Sequence, residues 1–213
     1  MAADKEILEL VYTASTHDQL MRAYRAWAGA YDVDTVDGFG YVGHLVTARA
    51  LADVVGDREA RILDAGCGTG LVGQALRTLG FTRLEAIDAS PEMLALARAK
   101  GVYQRLHQVD LEGPLGLHEF YDGVACAGTF TFGHVGPAAL ARLASVTRAG
   151  GHICFTVHEG AYAEFDFRAH IDALEESGRW TLIEEEDADY LQKEGVGCKR
   201  FTCRVEDPRA GER

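Results

Sequence analysis

Three acids, a run of glycines and one loop histidine are the residues whose types and spacing suit chemistry. Asp64-Ala-Gly66-Cys-Gly68-Thr-Gly70 puts a carboxylate and three alternate glycines at the end of an apolar run, and Asp88 and Asp110 close two later ones. Apolar run, glycine turn and the helix-compatible Leu71–Arg77 read as a buried strand, a tight turn and a helix start. In an open α/β sheet that turn lies at the carboxyl ends of the strands, where ligands sit. Gly68-Thr-Gly70-Leu-Val-Gly73 also matches GxGxxG, and Asp88 lies twenty residues beyond Gly68, where a dinucleotide fold keeps its ribose-binding acid. A lone GxGxxG is weak, and by this motif alone an NAD-dependent oxidoreductase stays open. A Walker loop is excluded, because no Gly-Lys-Ser/Thr follows.

The elements that must position these residues alternate from residue 61 onward. Strands are expected at Arg61–Ala65, Arg83–Asp88, Tyr103–Leu111, Tyr121–Ala127 and His152–His158. Helices are expected at Leu71–Leu79, from Pro91 to about Lys100, at Pro137–Arg148 and at Phe165–Ser177. Ser90 as N-cap with Pro91 behind it is a strong helix start. Trp180–Tyr190 and Lys199–Val205 read as two strands joined by a short connection, hence antiparallel. Before residue 61, helices are expected at 4–14, 18–30 and 41–55, with Asp32–Gly40 a polar connection. Leu20, Met21, Tyr24, Trp27, Ala28 and Tyr31 form one apolar face of the second. The expectation is a Rossmann-like, doubly wound, mostly parallel seven-stranded α/β sheet with a reversed last strand. Residues 1–57 would be a helical cover on a core of residues 58–213.

Beyond the glycine turn, the match to one family is extensive. Ile62–Gly70 resembles motif I of the class I S-adenosylmethionine-dependent methyltransferases. Ile87-Asp-Ala-Ser-Pro-Glu-Met-Leu94, Asp110-Leu111, Tyr121–Phe130 and Arg148–Val157 are similar to the family's signatures at the next strand ends. Trp27-Ala-Gly-Ala-Tyr-Asp32 looks like the aromatic N-terminal segment of its small stand-alone members. The resemblance implies S-adenosylmethionine as cofactor and S-adenosylhomocysteine as product. Asp64 would face the cationic end of the cofactor, with Ala65, Gly66, Cys67, Gly68 and Gly70 forming the turn around it. Asp88, with Ala89 beside it, would take both ribose hydroxyls, at roughly 1.5–3 kcal/mol for each charge-assisted bond. Met93 would lie against the adenine, Asp110 would accept from its amino group, and Leu111 would donate from its backbone. Tyr24, Tyr31 and Cys126 are further expected contacts, though Cys126 has no evident activator and its thiol reads as structural. No Lys or Arg occurs from Ile62 to Leu76, which favours a sulfonium over a pyrophosphate.

Methyl transfer needs alignment in a dry pocket more than it needs a triad. His134, in the loop after strand four, is the candidate general base, with Tyr31 a second catalytic candidate. His158, Glu159 and Tyr162 are weaker ones. Strand four continues as Ala-Gly-Thr-Phe, which lacks the signatures of adenine, glutamine-amide or cytosine-carbon methylation. No carboxylate cluster suggests a metal. A small-molecule acceptor is expected, with a protein acceptor second and a cofactor-binding protein without turnover as the alternative from another class.

Charge and cysteine content bound the rest. A formal net charge of -12 disfavours nucleic acid as partner. Five cysteines without a CxxC suit a reducing compartment. The charged first thirty residues do not read as a signal peptide, and no apolar run approaches membrane-spanning length. A cytoplasmic protein with no membrane partner is the expectation.

Overall fold

The computed structural model describes residues 5–14, 16–118 and 120–207. Seven strands form one sheet: β1 Arg61–Ala65, β2 Arg83–Asp88, β3 Arg105–Gln108, β4 Tyr121–Phe130, β5 Thr147–His158, β6 Trp180–Leu191 and β7 Val196–Val205. Their order is β3-β2-β1-β4-β5-β7-β6. The first five are parallel, and β7 runs antiparallel between β5 and β6. The sheet is the expected Rossmann-like, doubly wound and mostly parallel one, with a reversed last strand. Chain order turns back at β1, so the ends of β1, β2 and β4 meet at the switch point where such sheets bind ligands.

Helices α3 (Gly43–Val54) and α4 (Leu71–Thr78) cover one face, and α6 (Ala139–Val146) and α8 (Phe167–Glu176) the other. Strand residues alternate between the two cores. Leu63, Ala65, Val124 and Cys126 enter the α6–α8 side, and Ile62, Ala125 and Ala127 the α3–α4 side. Between β2 and β3, α5 (Pro91–Ala99) opens as its sequence requires, with the Ser90 hydroxyl accepting from Met93 N at 3.2 Å.

Several boundaries differ from expectation. β3 is four residues long rather than nine, because 109–118 turn away along the sheet's end. The helix expected at Pro137–Arg148 starts at Ala139 and yields its end to β5, which begins at Thr147. The expected Phe165–Ser177 helix is α8, preceded by a short α7 (Glu159–Glu164) that was not foreseen. His158 caps α7, its Nδ1 accepting from Gly160 N at 3.1 Å.

At the amino end, α1 (Lys5–Tyr12) and α2 (His17–Trp27) are followed by a π-helical turn over Val33–Gly38, within the stretch expected as a polar connection. Asp4, expected to start the first helix, lies outside the described residues. The turn is apolar at its end, where Phe39 is buried, and Trp27 Nε1 donates to Asp34 Oδ2 at 3.0 Å. A third core joins α1, α2 and Phe39 to Tyr190 and Leu191 of β6.

Candidate active site

A cleft partly open to solvent lies between α2 and the carboxyl ends of β1, β2 and β4. Its floor is the glycine turn. Gly66 N and Cys67 N both donate to Ile87 O, at 2.9 and 3.0 Å, which ties the turn across to β2. Gly66 has φ +73°, and a Cβ there would lie 2.3 Å from Thr129 Oγ1. Glycine is therefore the residue that lets the turn pass under Thr129, and the space above stays free for a ligand.

Asp88 ends β2 in the cleft wall. Its Oδ2 accepts from Gly68 N and its Oδ1 from Ser90 N, each at 2.8 Å. Burial raises its pKa, and the backbone donors work against that. Each oxygen keeps a lone pair for a further donor. Ala89, Met93, Asp110 and Leu111 continue the wall from β2 past the end of β3. Asp110 Oδ1 accepts from Glu112 N at 2.9 Å, an Asx turn that holds its carboxylate at the rim.

The roof is aromatic. Tyr24 and Tyr31 line the cleft with ring centroids 6.1 Å apart, and Tyr31 stacks edgewise on Trp27 at 4.8 Å. Tyr24 Oη lies 2.5 Å from His134 Nε2, while His134 Nδ1 lies 2.5 Å from Phe132 O. A carbonyl only accepts, so Nδ1 carries the proton and Nε2 accepts from the tyrosine. Burial pushes His134 down to about 4. It pushes Tyr24 well above the ordinary phenol range, so both groups are neutral near pH 7.

Four of the expected cofactor contacts do not line the cleft: Asp64, Ala65, Gly70 and Cys126. Ala65 and Cys126 are fully buried in the α6–α8 core by strand alternation. Burial raises the Cys126 thiol to about 12, which leaves it inert. Gly70 faces Tyr103 beneath the turn. Asp64, expected toward the cationic end of the ligand, is 1% exposed. Its Oδ2 accepts from Tyr103 Oη at 2.5 Å, and Tyr103 Oη accepts from Gly73 N at 3.1 Å. A Cβ on Gly73 would fall 2.3 Å from that phenol oxygen, so the third glycine of GxGxxG makes room for Tyr103 rather than for a pyrophosphate. Asp64 fastens the turn from below. His158 and Tyr162 also stay outside the cleft, the first as the α7 cap and the second packed on Phe201.

Sequence reasoning missed Tyr41, His44, Thr69 and Glu112, all of which line the cleft. Thr69 Oγ1 donates to Asp32 Oδ1 at 2.5 Å, and Lys100 Nζ bridges to Asp32 Oδ2 at 2.6 Å. Tyr31-Asp32 was the usable signal for that cluster. Among the described residues no Lys or Arg lines the cleft, and no three His, Cys, Asp or Glu converge as a metal site. The donor set suits a ligand bearing positive charge and hydroxyl donors.

The chain's relatives agree with this chemistry. It is 36% identical over 172 residues to human methyltransferase-like protein 27, a match covering 76% of this chain and 68% of that one. The chain belongs to the class I S-adenosylmethionine-dependent methyltransferases. Residues 62–151 match the model of a methyltransferase domain family. The malonyl-[acyl-carrier protein] O-methyltransferase of Pectobacterium atrosepticum is 32% identical over 68% of this chain, which spans 55% of that enzyme's length. Among solved structures, the N-methyltransferase NodS of Bradyrhizobium japonicum, in complex with S-adenosylhomocysteine, superposes with a TM-score of 0.68 at 16% identity. That likeness covers 88% of this chain and 98% of NodS. As a class I methyltransferase the protein takes S-adenosylmethionine as cofactor, a molecule whose cationic sulfonium and ribose suit the acidic, lysine-free cleft.

Proposed function

We propose that this methyltransferase acts on a small, uncharged or weakly basic molecule through an oxygen or nitrogen atom, and that Tyr24 and His134 take up the proton released. The observation that carries the reading is the Tyr24–His134 contact in the cleft wall, in a cavity that no Lys or Arg of the described residues lines to hold an acidic acceptor. Bound S-adenosylmethionine supplies an activated methyl carbon, to which the acceptor's lone pair bonds as the carbon–sulfur bond breaks. Tyr24 Oη accepts the acceptor's proton as its own moves to His134 Nε2, and Phe132 O holds the imidazole in the tautomer that receives it. Because His134 is a weak base, the relay serves an acceptor whose proton becomes strongly acidic once the methyl group is attached. Tyr31 orients the acceptor against Tyr24.

On this reading, residues 1–57 work as a cover on a core of 58–213, and the Tyr24–His134 bond is one of several contacts between them. Asp88, Ala89, Met93, Asp110 and Leu111 hold the nucleoside, and Gly66, Cys67 and Gly68 the methionyl part. A cytoplasmic setting is supported by five free, buried cysteines, and the absence of nucleic acid among its partners by the net charge of -12. No helix of the described residues is long and apolar enough to cross a membrane.

The test is transfer of a labelled methyl group to a panel of small alcohols, phenols and amines, with Tyr24→Phe and His134→Ala beside the wild type. Turnover should drop about 100-fold in both, the lower end of general-base effects, since either change breaks the same relay. Cofactor affinity should stay within twofold. Wild-type activity should fall only as pH drops through about 4, where His134 gains its proton. Label found on added proteins and on none of the panel would overturn the small-molecule reading. Full turnover in both variants would remove the relay.

A further inference from the structure

His44, in the first turn of α3, is a cleft residue that the relay does not use. Its ring is 7% exposed and lines the cleft. Nδ1 is buried with no hydrogen-bond partner among the described residues, whereas Nε2 is not stranded in this way. A stranded N–H is rarer in proteins than an unfilled lone pair, so the proton belongs on Nε2. Burial and the nearby Lys100 ammonium push the imidazole down to about 4, against the opposing pull of Asp32, so this tautomer is neutral near pH 7.

The ring is held firmly. It packs on Tyr41 with centroids 5.2 Å apart at 34°, and Tyr41 meets Tyr190 edge-on at 5.2 Å. Glycines surround Tyr41. A Cβ on Gly43 would come within 2.7 Å of its ring, and one on Gly128 within 2.8 Å of its hydroxyl. An imidazole fixed in this way, with a free donor at the edge of a cavity, is preorganised for a ligand acceptor.

The cofactor's own chemistry identifies that acceptor. With the nucleoside along Asp88 and Asp110, its amino-acid end would lie toward the ends of β1 and β4, where Gly66, Thr129 and His44 line the wall. That end carries an α-carboxylate, which needs donors. No Lys or Arg among the described residues lines the cleft, and Lys100 is engaged by Asp32 at 2.6 Å. We propose that His44 Nε2–H donates to the α-carboxylate of S-adenosylmethionine, and so selects a cofactor with an intact amino-acid group. The proposal rests on the family's cofactor and is independent of the acceptor reading above.

Calorimetric titration of the full chain with S-adenosylmethionine and with decarboxylated S-adenosylmethionine tests it, using wild type, His44→Ala and His44→Gln. Wild type should bind the intact cofactor about tenfold more tightly than the decarboxylated one. His44→Ala should lose that tenfold for the intact cofactor and bind the decarboxylated one within twofold of wild type. The glutamine amide keeps a donor and should restore part of the preference even where the alanine variant folds poorly. Equal affinities of wild type for the two ligands would overturn the proposal. So would an equal loss for both in the variants, which would mark His44 as a packing residue only.

Discussion

At the floor of the cleft, Gly66, Cys67, Gly68 and Asp88 sit on two adjacent strand ends, and the N–H groups of the turn donate to Ile87 O and to the Asp88 carboxylate at 2.8–3.0 Å. Along the roof, Tyr24, Tyr31, Tyr41 and His134 come from separate segments, and Tyr24 and His134, 110 residues apart in the chain, touch directly. The floor is one piece of local geometry, dictated by glycines and an acid within a short stretch. Ring edges and buried hydroxyls assemble the roof only after the sheet and the cover have docked. A floor made this way should fail sharply when a single group is changed, whereas a roof of many small contacts should yield by degrees.

The sharpest test of the floor concerns Asp64. Burial raises its carboxyl from an ordinary 3.8 to about 7, partly offset by the Tyr103 hydroxyl. Between those values the folded protein holds a proton that the unfolded chain has released. Stability should therefore fall as pH rises from about 4 to about 7, and depend no further on this group above that. The drop should reach several kcal/mol, roughly 10 °C in Tm. In Asp64→Asn the slope should vanish while the Tyr103 contact is kept. Parallel melting curves for the two proteins across this range would show that Asp64 ionises freely and does not fasten the turn.

Next in size is Asp88→Ala. The change removes the acceptor for Gly68 N and Ser90 N together with the proposed ribose partner, so affinity for S-adenosylhomocysteine should fall about 100-fold by calorimetry. A loss under threefold would mean that the floor is as forgiving as the roof.

These two residues also show what was legible in the chain. The register of Asp64 to Gly70 and the acids at 88 and 110 are local signals, because a strand end followed by glycines has few other uses. With them came the parallel sheet and its reversed strand. Asp64's true neighbour was not legible, since Tyr103 lies 39 residues on and reaches it only through the space left by Gly73. Tyr41 and His44 were hidden for a related reason. They sit at a helix start that reads as ordinary amphipathic sequence, and the π-helical turn at Val33–Gly38 that leads into α3 has no pattern of its own in the chain. His134 lines the cleft from the loop after β4, but its tyrosine partner belongs to the other end of the chain. Contacts that depend on docking leave no periodic trace.

Trp27→Phe probes the roof and should give the smallest effect. The indole is 4% exposed, packs on Tyr31 and Phe39, and donates to Asp34 Oδ2 at 3.0 Å. Phenylalanine retains most of the apolar contact and loses the donor, so the cost should be about 1 kcal/mol, seen as 2–4 °C in Tm. Tyr31 would keep its place against Tyr24, and affinity for S-adenosylhomocysteine should change less than twofold. A tenfold loss of affinity with Tm unmoved would reverse the comparison. In that case Trp27 would be setting the position of the cofactor through Tyr31, and the roof would belong to the binding site as rigidly as the glycine floor.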